Sequence, residues 1–387
     1  MVVIKSVTAK HILDSRKEKT IFVTVKTNVG EFSSSAPNGK STGKYETASY
    51  KKSLEKDIET LKKFKDYFSD EIIDDFNDLR RIEDIVEGHI GANSLFALES
   101  AILKAMAKEL KKEVWQIINP SAKKFPRLVG NCVGGGKHSA GKKPDFQEFL
   151  LIPKTNSVKE AFEVLKQAKK ETAKLLKRKD EKFESKKNDE DAWRTGLNEK
   201  EVLELLSSLK LPLGVDIAAS SFYKRKKYHY QNPMLQRSKE EQFFYVSNLI
   251  KNFSLFYVED AFNEDDFSSF AKLLKKFPDV LIVGDDLTTT NIKRLQKAIE
   301  SKSISAIIVK PNQNGSLIQV KHICEFAKKH GIKIVFSHRS GETEEDILAD
   351  LAFGFGADFF KCGITGKERI SKINRLIEIE RKLKSSH

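Results

Sequence analysis

Six ionisable side chains in the second half of the chain stand directly after short apolar runs. Such continuous runs are typical of the buried strands of a parallel sheet. In a (β/α) barrel the carboxyl ends of the strands meet on one open face, where catalytic residues lie. From Glu259 onward, the number of residues between successive members of this set fits one strand and one helix. The longer interval from Asp216 to Glu259 predicts an insertion. The six residues are Asp216, Glu259, Asp285, Lys310, His338 and Lys361.

The order of these six groups predicts a site divided by charge. The first three are acids and the last three are basic or imidazole groups, so one half of the barrel mouth would be anionic and the other cationic. Carboxylate oxygens without clustered Cys or His suit a hard cation such as Mg²⁺, and the cationic half suits an anionic substrate. Any one of them could be an ordinary solvated loop charge, but six at successive strand ends favour an active site.

Length and cysteine content narrow the class of protein. The 387 residues are enough for a barrel and one further domain. The three cysteines, Cys132, Cys324 and Cys362, are too scattered for a disulfide framework or a zinc site. The chain has no secretory start and no apolar run of membrane-spanning length, so we expect a cytoplasmic protein with no membrane partner.

The chain is strongly basic. It has 69 Lys and Arg against 55 Asp and Glu, a net charge of +14 that would favour polyanionic partners. Because the lysines are spread along the whole chain, we favour a solvated surface over a nucleic-acid site, although nucleic acid remains a possible partner. The densest run extends from Lys224 to Lys227, between Tyr223 and Tyr228.

The periodicity of apolar residues predicts two domains. Strands are expected at 2–13 and 21–29, and helical periodicity follows from Tyr50 to about Lys112. Strands followed by helices indicate an α+β module. The pattern changes around Pro120 and Pro126. We therefore predict an N-terminal α+β capping domain over residues 1–124 and a barrel catalytic domain over residues 125–387.

The barrel is predicted to begin with two strands in succession, at 128–133 and 146–152, before a helix from Val158 to about Leu176. The next segment, 177–191, is dense in charges of both signs and has Phe183 as its only apolar residue. This composition predicts a mobile surface loop.

Short motifs stand at the predicted strand ends and in the loops between them. They are Gly39-Lys40-Ser41-Thr42-Gly43, Gln147-Glu148-Phe149, Gly214-Val215-Asp216, Gly284-Asp285-Asp286, Lys310-Pro311-Asn312 and Ser337-His338-Arg339-Ser340-Gly341. Each alone is weak, but in this order they make the chain resemble the enolase family from residue 4 to about residue 382. The resemblance implies an α/β fold, an enolase-type (β/α)8-like barrel with an N-terminal α+β capping domain.

The implied activity is that of a phosphopyruvate hydratase of glycolysis and gluconeogenesis, the Mg²⁺-dependent reversible dehydration of 2-phosphoglycerate to phosphoenolpyruvate. The resemblance further implies two Mg²⁺ ions per active site. Asp216, Glu259 and Asp285 match the carboxylates that hold the first ion. Ser41 matches the residue of a closing loop that ligates the second ion.

The resemblance also assigns the proton transfers. Lys310 matches the general base that removes the proton next to the substrate carboxylate, Glu190 matches the general acid, and Glu148 matches the carboxylate that supports the acid. The remaining matches are Lys361 at the substrate carboxylate, Arg339 and Ser340 at the phosphate, His338 as a further catalytic group, and His138 in a second mobile loop.

Two pKa shifts are expected from these assignments. Neighbouring cations would lower the pKa of Lys310, so that it can accept a proton. Neighbouring carboxylates would raise the pKa of Glu190, so that it holds a proton to donate. The family usually has glycines on both sides of its Asp-Glu pair, and this chain has Asn188 and Asp191 there.

Two alternatives remain open at this point. One is an enolase-like paralogue acting on another carboxylate substrate, against which Arg339 and Ser340 argue. The other is a polyanion-binding protein on the enolase fold. The resemblance favours a divergent, archaeal-type enolase that acts on a small phosphorylated acid and forms a homodimer or a higher homo-oligomer.

Overall fold

The N-terminal part of the chain is built on an antiparallel sheet. The computed structural model describes residues 1–40, 43–64 and 67–385. Side chains alternate between the two faces of a strand, and the inward positions of the two long strands are apolar, as at the fully buried Val7 and Val23. The strand order is β3-β2-β1-β4, with β1 at Val2–Leu13, β2 at Lys19–Thr27, β3 at Gly30–Ser35 and β4 at Ile72–Ile73.

Helices accompany this sheet, so the predicted α+β order is confirmed. The first begins after Ser53, whose side chain accepts a hydrogen bond from the Lys56 amide. The longest of these helices packs against β2 and β3 and is buried along most of its length. The helices are α1 (Leu54–Lys63), α2 (Leu79–Val86), α3 (Ala92–Leu110) and α4 (Val114–Ile118).

The rest of the chain forms a closed eight-stranded barrel, as the sequence predicts. Its strands are β5 (Arg127–Gly134), β6 (Glu148–Leu151), β7 (Leu213–Asp216), β11 (Tyr257–Glu259), β12 (Leu281–Gly284), β13 (Ala306–Val309), β14 (Lys333–Ser337) and β15 (Phe359–Gly363). Seven run in one direction, whereas β6 is antiparallel to both of its neighbours. The two successive strands were predicted correctly, but the parallel pattern fails at β6, which a loop without a crossover helix joins to β5.

The interior of the barrel is filled by apolar side chains, so the barrel is a packed core and not a pore. Every strand except β7 contributes apolar residues to this interior, at alternate positions. The interior cluster consists of Val129, Leu150, Ile152, Tyr257, Val283, Ala306, Ile308, Val335 and Phe359. Chemistry is therefore confined to the ends of the strands.

Helices surround the barrel, and a small sheet is inserted in one connection. The helices are α5 (Val158–Lys179), α6 (Glu199–Ser207), α7 (Lys239–Phe253), α8 (Phe267–Lys276), α9 (Ile292–Glu300), α10 (Pro311–Asn314), α11 (Leu317–Lys329), α12 (Ile347–Gly354) and α13 (Lys367–Ser385). The sheet contains β8 (Tyr223–Lys224), β9 (Lys227–Gln231) and β10 (Met234–Arg237). It accounts for the insertion predicted between Asp216 and Glu259. Among the residues described, no helix is long and apolar enough to cross a membrane.

The charged segment at 177–191 is only partly the surface loop that its composition predicts. Its first three residues are the last turn of α5, which ends at Lys179. Residues 184–187 are exposed, but Glu190 has only 3% of its surface exposed. The interpretation as a solvated loop is therefore wrong for Glu190.

A buried carboxyl group joins α3 to the barrel. Glu99 accepts a hydrogen bond from the Leu317 amide at the start of α11, at 2.7 Å. Glu83, which pairs with Arg80 at 2.8 Å and accepts a hydrogen bond from Ser316, lies close by. Burial and, secondly, the charge of Glu83 raise the pKa of Glu99 well above its ordinary value. Glu99 therefore holds its proton more tightly in the folded protein than an ordinary glutamate does.

We predict that Glu99→Gln stabilises the protein relative to the parent increasingly as the pH rises from about 5 to about 8. Unfolding releases Glu99 to an ordinary glutamate pKa of roughly 4.3, so the parent loses unfolding free energy as the pH rises above that value. Glutamine does not ionise and escapes this loss. Urea unfolding at several pH values measures the effect, with Glu109→Gln, partly exposed on the same helix, as the control. A difference between Glu99→Gln and the parent that does not change with pH would contradict the prediction.

Candidate active site

The predicted strand-end residues converge at one end of the barrel. Asp216 and Glu259 are the last residues of neighbouring strands and pair in register. The other four follow β12, β13 and β14 or lie within β15. The predicted residues that line the cavity there are His138, Glu148, Glu190, Asp216, Asp285, Lys310, His338, Arg339 and Ser340.

Lys361 lies at the centre of a ring of carboxylates. Its Nζ is 3.0 Å from Asp216 Oδ2, 2.8 Å from Glu259 Oε1 and 3.1 Å from Glu148 Oε1. Only 1% of its surface is exposed. Burial lowers the pKa of Lys361, but the three carboxylates outweigh this effect and raise the pKa well above its ordinary value. Lys361 is therefore a permanent internal cation.

Lys310 is held in its charged form by Asp285. The distance from Lys310 Nζ to Asp285 Oδ2 is 2.5 Å. Burial, Arg339 and Lys361 each lower the pKa of Lys310, as expected from the sequence, but Asp285 outweighs them and the net shift is upward. The expected lowering is wrong for this arrangement because the sequence did not reveal how close Asp285 lies.

Glu190 is surrounded by donors and imidazoles. Asn131 Nδ2 donates to Glu190 Oε2 at 2.8 Å, and His138 Nδ1 lies 3.2 Å from Oε1. Burial raises the pKa of Glu190, but His138 and Lys361 outweigh it and hold the pKa well below the ordinary value. The expected upward shift is therefore wrong. Sequence reasoning overlooked Asn131, which lies within a strand and carries no motif.

The pKa of Glu148 is shifted in the opposite direction from that of Glu190. Its pKa is raised well above the ordinary value, by burial first and by the charge of Glu190 second. Oxygens of both carboxylates lie within 4.8 Å of each other and of a His138 ring nitrogen. His338 Nε2 is 3.8 Å from Glu190, and burial and nearby cations lower the pKa of His338 to about 3. His338 is therefore a neutral imidazole.

The loop that carries Glu190, residues 186–192, is fixed by the two residues that replace the family's glycines. We call it the acid loop. Asn188 Oδ1 accepts hydrogen bonds from the amides of Glu190, at 3.0 Å, and Ala192, at 2.9 Å. Asp191 has a φ of 64°, a left-handed conformation that Asp tolerates better than most residues. The substitutions therefore preserve an ordered turn.

The phosphate-binding pair predicted from the sequence contacts the N-terminal part of the chain. Arg339 Nη2 is 3.0 Å from Glu46 Oε2, and Ser340 Oγ accepts hydrogen bonds from the Lys40 amide at 2.8 Å and from Arg16 Nη1 at 3.2 Å. Sequence reasoning overlooked Arg16, Lys40 and Glu46. Lys40 lies within the Gly39–Gly43 motif and Glu46 lies shortly after it, and this was the signal that could have identified these two residues.

Ser41 lies outside the residues that the structure describes. The described residues near it in sequence either line the cavity or make contact with a residue that lines it. Gly39 and Lys40 line it directly. The Gly43 amide donates to Glu46 Oε1 at 2.8 Å. The assignment of Ser41 therefore stays a prediction.

Carboxylates suited to a hard cation are present, although the most compact set differs from the predicted one. Oxygens of Asp260, Asp285 and Asp286 lie within 4.8 Å of one another. Asp260 accepts hydrogen bonds from the amides of Asp285, at 3.0 Å, and Asp286, at 2.7 Å, so it also orients this loop. Asp285 Oδ1 is buried and has no hydrogen-bond partner within the described part of the chain. An all-oxygen set with an unpaired buried oxygen fits Mg²⁺.

The acids in and around this cluster repel one another. Burial and the charge of Asp216 raise the pKa of Glu259 to about 8, and burial and the charge of Asp285 raise the pKa of Asp286 to about 7. A divalent cation among these groups would favour their ionised forms. The electrostatics of the cluster are therefore those of a cation site.

Comparison with known proteins agrees with this geometry. Two family models match, "Enolase, N-terminal domain" over residues 4–118 and "Enolase, C-terminal TIM barrel domain" over residues 122–387. The boundary at residues 124 and 125 stays a prediction.

Similar curated proteins come from archaea. The enolase of Methanosphaera stadtmanae is 34% identical, with 98% of this chain and 97% of the relative covered. That of Pyrobaculum aerophilum is 35% identical over 89% of this chain and 87% of the relative. That of Thermoplasma acidophilum is 32% identical over 99% of both chains. With a barrel, a strand-end site and matches over nearly its whole length, the chain belongs to the enolase family of carbon–oxygen lyases.

Proposed function

We propose that the protein catalyses the Mg²⁺-dependent, reversible dehydration of 2-phosphoglycerate to phosphoenolpyruvate. The observation that carries this proposal is that buried acids and cations meet in one cavity. Asp216, Asp285 and neighbouring acids line it together with Lys310 and Arg339. A cation and a substrate with two anionic groups need both kinds of side chain close together.

Lys310 is the proposed general base. A proton next to a carboxylate is weakly acidic because its loss places a second negative charge on the same oxygens. Sites of the enolase superfamily in general use a lysine or histidine base with one or two Mg²⁺ ions. When bound, Mg²⁺ would neutralise this charge and compete with Lys310 for the charge of Asp285. Lys310 would then release its own proton more easily.

Asp216, Glu259 and Asp285 are the proposed holders of the first Mg²⁺, with Asp260 and Asp286 as close supports. Ser41 remains the proposed protein ligand of a second ion. Both assignments extend the family resemblance to this chain.

Glu190 is the proposed general acid, with Glu148 as its supporting carboxylate. The two groups share one proton, and the protonation of such a pair belongs to the pair and not to one member. The pKa of Glu148 is raised and that of Glu190 is lowered. When the substrate's departing hydroxyl lies near Glu190, the proton of the pair would transfer through Glu190 to that hydroxyl, which leaves as water.

The substrate's two anionic ends are assigned to different cations. Arg339 and Ser340 are proposed to bind the phosphate, because a guanidinium offers paired donors to phosphate oxygens. Lys361 is proposed to face the carboxylate, and His138 and His338 to border the reacting carbon atoms. We further propose a homodimer or higher homo-oligomer in the cytoplasm. The alternative of a paralogue with another substrate would leave the phosphate pair without a role.

We predict that activity requires Mg²⁺ and that Glu259→Gln lowers kcat/KM by at least about 100-fold, because one of three charges that hold the cation is lost. Phosphoenolpyruvate formation from 2-phosphoglycerate is followed by its ultraviolet absorbance, with and without chelator. Glu325→Gln, exposed on α11, is the matched control. Full activity in excess chelator would refute the metal requirement, and full activity of Glu259→Gln would refute the ligand assignment.

A second prediction separates the base from the acid. Lys310→Ala should abolish exchange of the substrate's C2 proton with deuterated solvent, whereas Glu190→Gln should retain that exchange and lose dehydration. Proton NMR of 2-phosphoglycerate measures the exchange, and the absorbance assay measures dehydration. Equal loss of exchange in both variants would show that the two roles are not divided in this way.

A further inference from the structure

A closed ring of hydrogen bonds joins the acid loop to the phosphate-binding serine. Lys40 Nζ donates to Asp189 Oδ2 at 2.5 Å, and the Lys40 amide donates to Ser340 Oγ at 2.8 Å. Arg369 Nη2 completes the ring by donating to the carbonyl oxygens of Asp189, at 3.0 Å, and Ser340, at 2.8 Å. Asp189 immediately precedes Glu190. The ring therefore links the proposed phosphate site to the proposed acid.

The bonds of this ring differ in their exposure to solvent. Arg369 and Ser340 are 2% and 5% exposed, so their part of the ring is fixed within the protein. The side chains of Lys40 and Asp189 are 37% and 29% exposed. An ion pair this accessible contributes little to folding stability. Its main effect is therefore on the position of the acid loop.

Ser340 lines the cavity and has a hydrogen-bond donor left for an anion. A serine hydroxyl has one donor and accepts up to two hydrogen bonds. Ser340 Oγ already accepts from Lys40 and from Arg16. Its own proton has no acceptor in the described part of the chain, so it is free to donate to a phosphate oxygen.

We propose that Lys40 is a positioning residue that couples phosphate binding at Ser340 to the placement of Glu190. This inference rests on the proposed function and deepens it. Lys40 anchors the side chain of Asp189 and the hydroxyl of Ser340 from a single residue. Lys310 takes no part in the ring, because its ammonium contacts Asp285 and its amide donates to Thr290. Loss of the Lys40 ammonium therefore affects the step that needs Glu190 and spares the step that needs Lys310.

The test compares the two steps in Lys40→Met, whose side chain keeps its length and loses its charge. We expect kcat for dehydration to fall about 10- to 100-fold, the usual effect of a small displacement of a catalytic group. Exchange of the substrate's C2 proton should stay near the parental rate, and Lys40→Arg should restore most of the dehydration. A purely structural role would lower both rates together.

An exposed ion pair outside the acid loop provides a matched control. Lys174 and Glu171 on α5 pair at 2.9 Å, with side chains 62% and 37% exposed. Lys174→Met should leave both rates unchanged. The double variant Lys40→Met with Asp189→Asn should be no slower than the slower single variant, because each change removes the same ion pair between Lys40 and Asp189.

Amide hydrogen exchange gives a readout that does not depend on turnover. Exchange across residues 186–192 should be faster in Lys40→Met than in the parent and in Lys174→Met. Equal loss of dehydration and C2 exchange, an unaffected dehydration rate, or unchanged amide exchange in the acid loop would each overturn the inference. A parent protein that forms no phosphoenolpyruvate would refute the proposed function instead, and the amide exchange would still decide whether Lys40 positions the acid loop.

Discussion

The buried ammonium of Lys361 is the interaction on which the site depends. Burying a carboxylate without a partner is costly, and this rim contains several. Lys361 contacts Glu148, Asp216 and Glu259, which lie on three different strands. One cation therefore stabilises the ends of β6, β7 and β11 at the barrel mouth. Removing it would leave three buried carboxylates without their nearest counter-charge.

The reversed direction of β6 follows from the same requirement. The carboxyl end of a parallel strand faces the site, but β6 is antiparallel and presents its first residue there instead. Glu148 is that residue, and its Cα pairs with Asp216. A carboxylate at the start of β6 therefore reaches the same ammonium as one at the end of β7. The irregular strand is needed to place the group that shares a proton with Glu190.

Sequence reasoning identified the strand ends well because apolar runs and the charges after them are local signals. It predicted the closed barrel, the insertion after Asp216 and nine of the residues that line the cavity, but not Lys40 or Glu46. The contributions of Asn131 and Arg16 depend on contacts between distant parts of the chain, which no local pattern records. The pKa directions of Lys310 and Glu190 were wrong for the same reason. The upward shift of the Lys310 pKa comes mainly from Asp285 at 2.5 Å, and the largest lowering of the Glu190 pKa comes from His138 at 3.2 Å. A motif gives no distances.

The acid loop shows why composition alone misjudges a charged segment. Disorder is expected when too few apolar groups are buried to offset the entropy of folding. Here specific polar contacts replace apolar burial. The Asn188 side chain accepts hydrogen bonds from two amides of the loop. Lys169 donates to the carbonyl oxygen of Asp191, and Arg369 donates to the carbonyl oxygen of Asp189. A loop held mainly by directional bonds can place one carboxylate accurately and still be adjustable at its surface. An acid that must meet a departing hydroxyl needs both properties.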